Sequence, residues 1–265
     1  MRFRDYYTEV EKMGLSYSGQ PVGRASHRVG RYQKDDQGYY VKYANAMEET
    51  GYLQDLQMIV EHLAFRIYGL FGLKVPSSYL VVDEEREDLG IATSEVPGKA
   101  VPWGSQIGSD IYDGWFVDVL LANWDVTGTG QDMENLLGSD EGVHRIDPGG
   151  SMTYRAQGAR KGHLFGPEPG ELETMRTMYP GSEAFGDMPQ QAEMKASKVF
   201  LRVRWQDISQ TIDQVKKEAD DKIKELEDPD KRARLAQETW DELRDIHATL
   251  QERYKRIVEH IKSRF

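Results

Sequence analysis

The stretch that decides the reading of this chain runs from Asp118 to Tyr154, DVLLANWDVTGTGQDMENLLGSDEGVHRIDPGGSMTY. Apolar pieces flank a polar core of Asn123, Asp125, Asn135 and Asp147. Four oxygen-bearing side chains in that arrangement suit a hard cation and a phosphate chain. Mg²⁺ takes carboxylate and amide oxygens and keeps waters and substrate phosphates as its other ligands. The order of the residues sharpens this. A phosphoryl-transfer site of the protein-kinase type needs an Asp to orient the attacking hydroxyl, an Asn further along the same loop for metal, and an Asp just before a Gly for the main metal. Asp125, Asn135 and Asp147-Pro148-Gly149 stand in that order. A loop rich in Asp and Asn merely for its turns is the bland alternative, and it does not account for the ordering.

Upstream, residues 14 to 43 read as strands joined by turns at Gly14, Gly19, Gly23, Gly30 and Gly38. The strongest strand is Tyr39 to Tyr43, and in it Lys42 sits among aromatic and β-branched neighbours. A strand lysine pairing nucleotide phosphates explains it, with the loop Gly19 to Arg28, including Gly23 and Ser26, lying over those phosphates through backbone N–H groups. An edge lysine with its head in water is the rival. Residues 47 to 73 carry Leu53, Leu56, Ile59, Val60, Leu63, Ala64, Ile67 and Leu70 at helical spacing, which predicts an amphipathic helix ending near Gly69 to Gly72. Glu61 lies in that helix and is placed to hold Lys42 on the phosphates. Residues 74 to 82 and 89 to 96 read as two further strands. Glu95 to Gly98, and within it Glu95 and Val96, is the candidate crossing between lobes where backbone groups meet adenine. Residues 110 to 122 read as one apolar helix leading into the central loop.

The pieces YYVKY, VEHLAFRIYGLFGLKVPSS, FVDVLLANWDV, ENLL and HRIDPGGSMTYRAQGARKG together resemble the HipA-like branch of atypical kinases, related in fold to the phosphatidylinositol 3-/4-kinases. The likeness runs over roughly residues 19 to 190. It implies a two-lobed α+β fold, with a β-rich N-terminal lobe over 1–97 and a helical C-terminal lobe over 98–265. It also implies that Lys42 contacts ATP phosphates, Glu61 positions it, Asp125 is the catalytic Asp, and Asn135 with Asp147 holds Mg²⁺. Asn123 is similar to the Asn of the family's N-x-D motif. This chain departs from the pattern in three places. Asp125 and Asn135 are ten residues apart instead of five, so Thr127 to Asp132 reads as an insertion. Thr127 stands where a His is usual. The nucleotide loop has fewer clustered glycines and offers Arg24, Ser26, His27 and Arg28 instead.

Residues 148 to 190 hold eight glycines and read as a loop-rich substrate segment. Arg155, Arg160 and Lys161 make its start basic, which suits a phosphate or acidic partner as well as ordinary solvated charges. Ser26, Ser151, Thr153 and Tyr154 are the candidate self-acceptors. The last third predicts a helical hairpin within 195–265. One stripe is Trp205, Ile208, Ile212, Val215, Ala219, Ile223 and Leu226, and the other Ala236, Trp240, Leu243, Ile246, Leu250, Tyr254, Ile257 and Ile261. Asp228-Pro229-Asp230 stops the first helix and caps the second.

Composition narrows the function. At 265 residues the chain can bury a large core, and a net charge of −11 disfavours a general nucleic-acid surface. Cys is absent, which removes disulfides and thiolate chemistry. No apolar run reaches a membrane span and the start lacks a secretion signal, so a cytoplasmic protein is expected. There is no G-x-S-x-G elbow, no G-x-x-x-x-G-K-[ST] loop and no H-E-x-x-H helix. The reading that follows is ATP- and Mg-dependent phosphoryl transfer to a hydroxyl, foremost a Ser or Thr of a protein substrate. Two others share the same residues: a lipid or small-molecule kinase, and an inactive pseudokinase serving as a scaffold, which the altered loop spacing favours.

Overall fold

Tyr39 to Tyr43 alternates its faces as a strand must, and that alternation positions the whole N-terminal half. The computed structural model describes residues 16–19, 28–43, 54–83, 87–103, 109–156 and 158–265. Among them the first sheet is antiparallel, in the order β1 (Ser16–Gly19), β2 (Arg28–Lys34), β3 (Gln37–Tyr43), β5 (Asp88–Ser94) and β4 (Ser78–Asp83). Val41 and Tyr43 turn to one face, where they pack with Tyr32, Val81 and Ala92. Lys42 pairs with Ile91 and so shares the opposite face with it. That face is covered by helix α1 (Gln54–Leu70), whose Met58 and Phe65 pack on Ile91. A lysine in a central strand, facing a helix, is no edge residue. Each fully buried Leu or Ile on α1 adds about 2 kcal/mol of burial to this packing.

The turns differ from expectation. Gly30 and Gly38 lie inside strands, and the hairpin turn is instead Asp35-Asp36, with Asp35 at φ 53°. A Cβ on Gly38 would stand 2.0 Å from Glu95 Oε2, and one on Gly30 would stand 2.9 Å from the Tyr32 ring. Gly38 serves close approach across the sheet to Glu95, and Gly30 leaves room for the Tyr32 ring two residues along its own strand. Helix α1 ends at Leu70, with Gly72 in the left-handed region (φ 73°), as the Gly69 to Gly72 reading required. Its expected first turns, from residue 47 to 53, lie outside the described residues. Residues 74 to 77 stay out of the strand, since Pro76 has no N–H for the ladder.

After Pro97-Gly98 the chain forms a second antiparallel sheet, β6 (Lys99–Pro102), β7 (Asp132–Ser139) and β8 (Gly142–Arg145). The single helix expected over 110–122 is two, α2 (Ser109–Asp113) and α3 (Trp115–Leu120). The break falls at Gly114, where a Cβ would stand 2.1 Å from Arg145 Nη2. The loop-rich segment carries two short helices, α4 (Glu171–Thr177) and α5 (Gly181–Phe185).

The C-terminal lobe closes with α6 (Gln190–Phe200) and a long antiparallel hairpin, α7 (Trp205–Ile223) and α8 (Pro229–Arg264). Residues 195 to 200 therefore belong to a separate helix before the hairpin. Asp228 caps α8, accepting from Asp230 N at 2.9 Å and Lys231 N at 3.1 Å, with Pro229 at the first helical position. The buried stripe of α8 runs through Leu235, Thr239, Leu243, Ile246, Leu250, Arg253, Ile257 and Ile261. Trp240 falls beside it and is 47% exposed, with Lys216 Nζ over its ring. Among the described residues, no helix is long and apolar enough to cross a membrane.

Candidate active site

Lys42, Glu61 and Asp147 meet. Lys42 Nζ is 2.7 Å from Glu61 Oε2 and 3.3 Å from Asp147 Oδ1, although Asp147 lies 105 residues along the chain. Glu61 is almost fully buried, whereas half of the Asp147 side chain is exposed. Burial works against the Lys42 charge, but Asp147 and Glu61 more than offset it and hold the amine above its ordinary value. Burial raises the Glu61 carboxyl, with Lys42 pulling the other way.

Asp125 and Asn135 form the second half. Asn135 Nδ2 donates to the Asp125 carbonyl at 2.6 Å and to Asp125 Oδ2 at 3.2 Å. Asn135 stands on strand β7 and not in the loop as expected. The turn between them is tightened by Gly128 at φ 73° and by Trp103 Nε1 donating to the Gly130 carbonyl at 3.1 Å. Ten residues of separation in sequence thus become direct contact. Burial, and then the nearby Asp147 charge, push Asp125 up to about 6.

The sequence Asp147-Pro148-Gly149-Gly150 joins the halves. Asp147 heads a short 3-10 turn over Pro148–Gly150. A Cβ on Gly149 would stand 2.9 Å from Glu61 Oε2 and 3.2 Å from Lys42 Nζ, and one on Gly150 would stand 2.9 Å from Asp125 Cβ. Only bare backbone can run between these side chains. Among the described residues no three His, Cys, Asp or Glu side chains gather to hold a metal by themselves. The donors do fit magnesium, which needs one or two carboxylates and takes phosphates and waters for the rest. Asp147 offers an open carboxylate, and Asn135, having donated its amide nitrogen, keeps its amide oxygen.

No family model matches this chain, and no curated protein matches it in sequence. In structure it is similar to the crystal structure of a Helicobacter pylori proinflammatory kinase, CtkA. The TM-score is 0.56 at 12% identity, over 94% of this chain and 95% of that one. The fold is kinase-like. Identity this low carries the architecture and leaves the chemistry to be argued from the residues.

In this kinase-like frame the remaining expected residues are scattered. Gly23 and Ser26 lie outside the described residues. Glu95 ends up on the hairpin of β2 and β3. Its N–H donates to the Gly38 carbonyl at 2.7 Å, its carbonyl accepts from Gln37 Nε2, and its carboxylate accepts from Arg31 Nη2 at 2.7 Å. Val96 follows it, half-buried. The basic start of the substrate segment disperses. Arg160 pairs with Glu242 at 2.7 Å, and Lys161 is buried, donating to the Ala122 and Gly150 carbonyls at 2.6 Å each. Burial pushes the Lys161 amine down to about 7. Arg155 and Arg160 are exposed, and of the three only Lys161 is buried. Ser151 and Tyr154 are about 1% exposed, closed to any acceptor role in this conformation.

Sequence reasoning missed the support behind the site. Tyr68 lies two turns beyond Glu61 on α1, and its hydroxyl donates to Asp118 Oδ1 at 2.9 Å and accepts from Asn123 Nδ2 at 2.9 Å. Asp118 in turn takes two bonds from the Arg145 guanidinium, at 2.9 and 2.8 Å. This buried group ties α1, α3, the Asn123 loop and β8 together. Asn123 therefore faces inward, with its Oδ1 buried and unpartnered among the described residues. Arg253 of α8 is fully buried and caps the end of α3, donating to the Val119 and Leu120 carbonyls at 2.5 and 2.9 Å and to Glu171. Tyr68 reads as core in a helical stripe, and nothing local in the sequence distinguishes it.

Proposed function

We propose that this chain is a HipA-like atypical kinase that transfers the γ-phosphoryl group of ATP, with magnesium, to a Ser or Thr hydroxyl of a protein. The observation that carries the reading is the convergence of Lys42, Glu61 and Asp147 within 3.3 Å, beside an Asp125 held by Asn135. The fold likeness to a kinase supports it, as do the motifs that resemble the HipA-like group. The contact of Asn135 with Asp125 supports the catalytic reading over the scaffold one, because the long spacing in sequence does not keep the two apart.

In this reading Lys42 grips the phosphate chain and Glu61 fixes the amine. Asp147 and the Asn135 amide oxygen hold magnesium, which when bound neutralises charge on the phosphates. Adenine is met by the backbone of Val96, since both backbone polar groups of Glu95 are engaged. Asp125 orients the acceptor hydroxyl and takes its proton as the hydroxyl oxygen bonds to the γ-phosphorus and the bond to the β-phosphate oxygen breaks, releasing ADP. The loose transition state asks mainly for positioning and charge stabilisation.

The test is a pair of variants assayed with radiolabelled ATP and lysate proteins. Asp125→Ala should keep Mg·ATP binding and lose transfer, while Asp147→Ala should lose both. A wild type that binds nucleotide yet labels nothing above the Asp125→Ala background belongs to the scaffold class. Label found in lipid or small-molecule fractions and not in protein moves the acceptor.

A further inference from the structure

The C-terminal hairpin grips the helix that carries Glu61. Glu218 of α7 meets two residues of α1. Its Oε2 is 2.8 Å from His62 Nε2, and its Oε1 accepts from Arg66 Nη1 at 2.6 Å. Arg66 also donates to Gln214 at 3.2 Å. His62 is fully buried, and its other nitrogen is 2.8 Å from Ser78 Oγ on β4. At the hairpin turn the Glu87 carboxylate accepts from Glu227 N at 2.8 Å and from Asp228 N at 3.3 Å. Lys231 Nζ donates to the Glu87 carbonyl and lies 3.2 Å from Asp88 and 3.4 Å from Asp55. Asp55 stands in the first turn of α1 and takes the Leu89 N–H at 2.7 Å.

We propose that the hairpin is a fixed brace on α1, with Glu218 and Lys231 as positioning residues that hold Glu61 against Lys42. The geometry of a helix makes the brace specific. His62 and Arg66 are four apart and share one face, while Glu61 is turned about 100° from His62 around the axis. Pinning the first pair fixes the rotation of the helix, and a rotation by one residue's angle would carry Glu61 away from the amine. Lys231 fixes the other end, so the helix can neither turn nor swing outward. The Glu218 carboxylate is held down to about 2, first by its bond to His62 and then by Arg66, so it stays charged across the working range. The proposal rests on the reading of Lys42 and Glu61 as the phosphate grip.

Two readouts on the full chain separate the brace from that reading. Hydrogen exchange across Gln54–Leu70 should quicken in Glu218→Ala relative to the rest of the chain. The dissociation constant for Mg·ATP should rise about tenfold, because affinity falls with the fraction of molecules in the competent arrangement. Glu218→Gln should restore most of both. Its amide oxygen accepts from Arg66, and its amide N–H donates to His62 Nε2 once the ring proton sits on the nitrogen facing Ser78. Arg66→Ala and Lys231→Ala, at partly exposed positions, carry the same readouts if Glu218→Ala does not fold. Exchange on α1 equal to wild type overturns the brace, as does faster exchange spread evenly over the chain. Faster α1 exchange with unchanged affinity overturns the positioning role. A wild type that binds no Mg·ATP overturns the function reading, and the exchange result then decides the brace alone.

Discussion

Two of the places where the described residues set a cation against a carboxylate are built to opposite ends. In one, Arg145 forks onto Asp118 beneath a Tyr68 hydroxyl, with every member at most 3% exposed. In the other, Lys42 lies between a buried Glu61 and an Asp147 whose side chain is 49% exposed. The first is closed to solvent, its Asp118 carboxylate taken up by Arg145 and Tyr68. The second is one-sided, with a fixed carboxylate behind the amine and an open one in front. A saturated ion pair sets geometry, and a half-open one can exchange a partner for a phosphate. The closed cluster touches α1, α3 and β8, the elements that carry or lead into Glu61, Asp125 and Asp147, so it sets the frame for the open one.

The largest effect expected from breaking this contrast is in the closed cluster. Asp118→Ala or Arg145→Leu leaves a buried charge without its partner and should cost about 3–5 kcal/mol in urea unfolding. A loss below about 1 kcal/mol would mean that the two clusters are equivalent and that burial here is not what it is taken to be. Next in size is the open cluster. Lys42→Ala should leave apo stability within about 1 kcal/mol, because burial already raises Glu61 and a proton can replace the amine. The same variant should lose the thermal stabilisation by Mg·ATP, which for wild type at a hundredfold excess over the dissociation constant is about 2.7 kcal/mol. An undiminished shift in Lys42→Ala would take the phosphates elsewhere.

The open cluster was legible in the sequence and the closed one was not, for a physical reason. Lys42, Glu61 and Asp147 are charged residues where apolar or turn residues are the rule, so each one asks for an explanation. Tyr68 sits where core is expected and Arg145 ends a short strand, and their meaning lies in contacts far along the chain. The break at Gly114 was hidden in the same way, since its cause is the Arg145 guanidinium. The two-lobed fold followed from the family resemblance, and the helices of its second lobe followed from periodicity. Trp240 shows the limit of periodicity, because it stands four positions after Ala236 and three before Leu243, a helical spacing, and still falls beside the buried face at 47% exposed. Asn135 was named from composition and order, whereas its strand and its contact with Asp125 depended on a tight turn.

The smallest effect concerns Asp125, which stands between the clusters in character: partly exposed, yet pushed up to about 6 by burial and by Asp147. An unfolded aspartate has an ordinary value near 3.8, so the folded chain holds this proton more tightly. That contribution to stability is fully present below about pH 4 and is lost as pH rises through about 6. At pH 8 the ionised carboxylate is a burden on the fold. Asp125→Asn removes the charge and keeps an oxygen for the Asn135 amide, so it should stabilise the apo protein by on the order of 1–2 kcal/mol at pH 8. The gain should fade below pH 5, where the wild-type group is already neutral. Transfer has the opposite dependence, because only the carboxylate can take the acceptor's proton, so the wild-type rate should climb between about pH 5 and 7. Thermal melts of both forms from pH 4.5 to 8, alongside a rate profile of the wild type, test the pair of slopes together. A variant no more stable than wild type at pH 8 would show that Asp125 is solvated like the front of Asp147, and the poised carboxylate would have to be sought elsewhere.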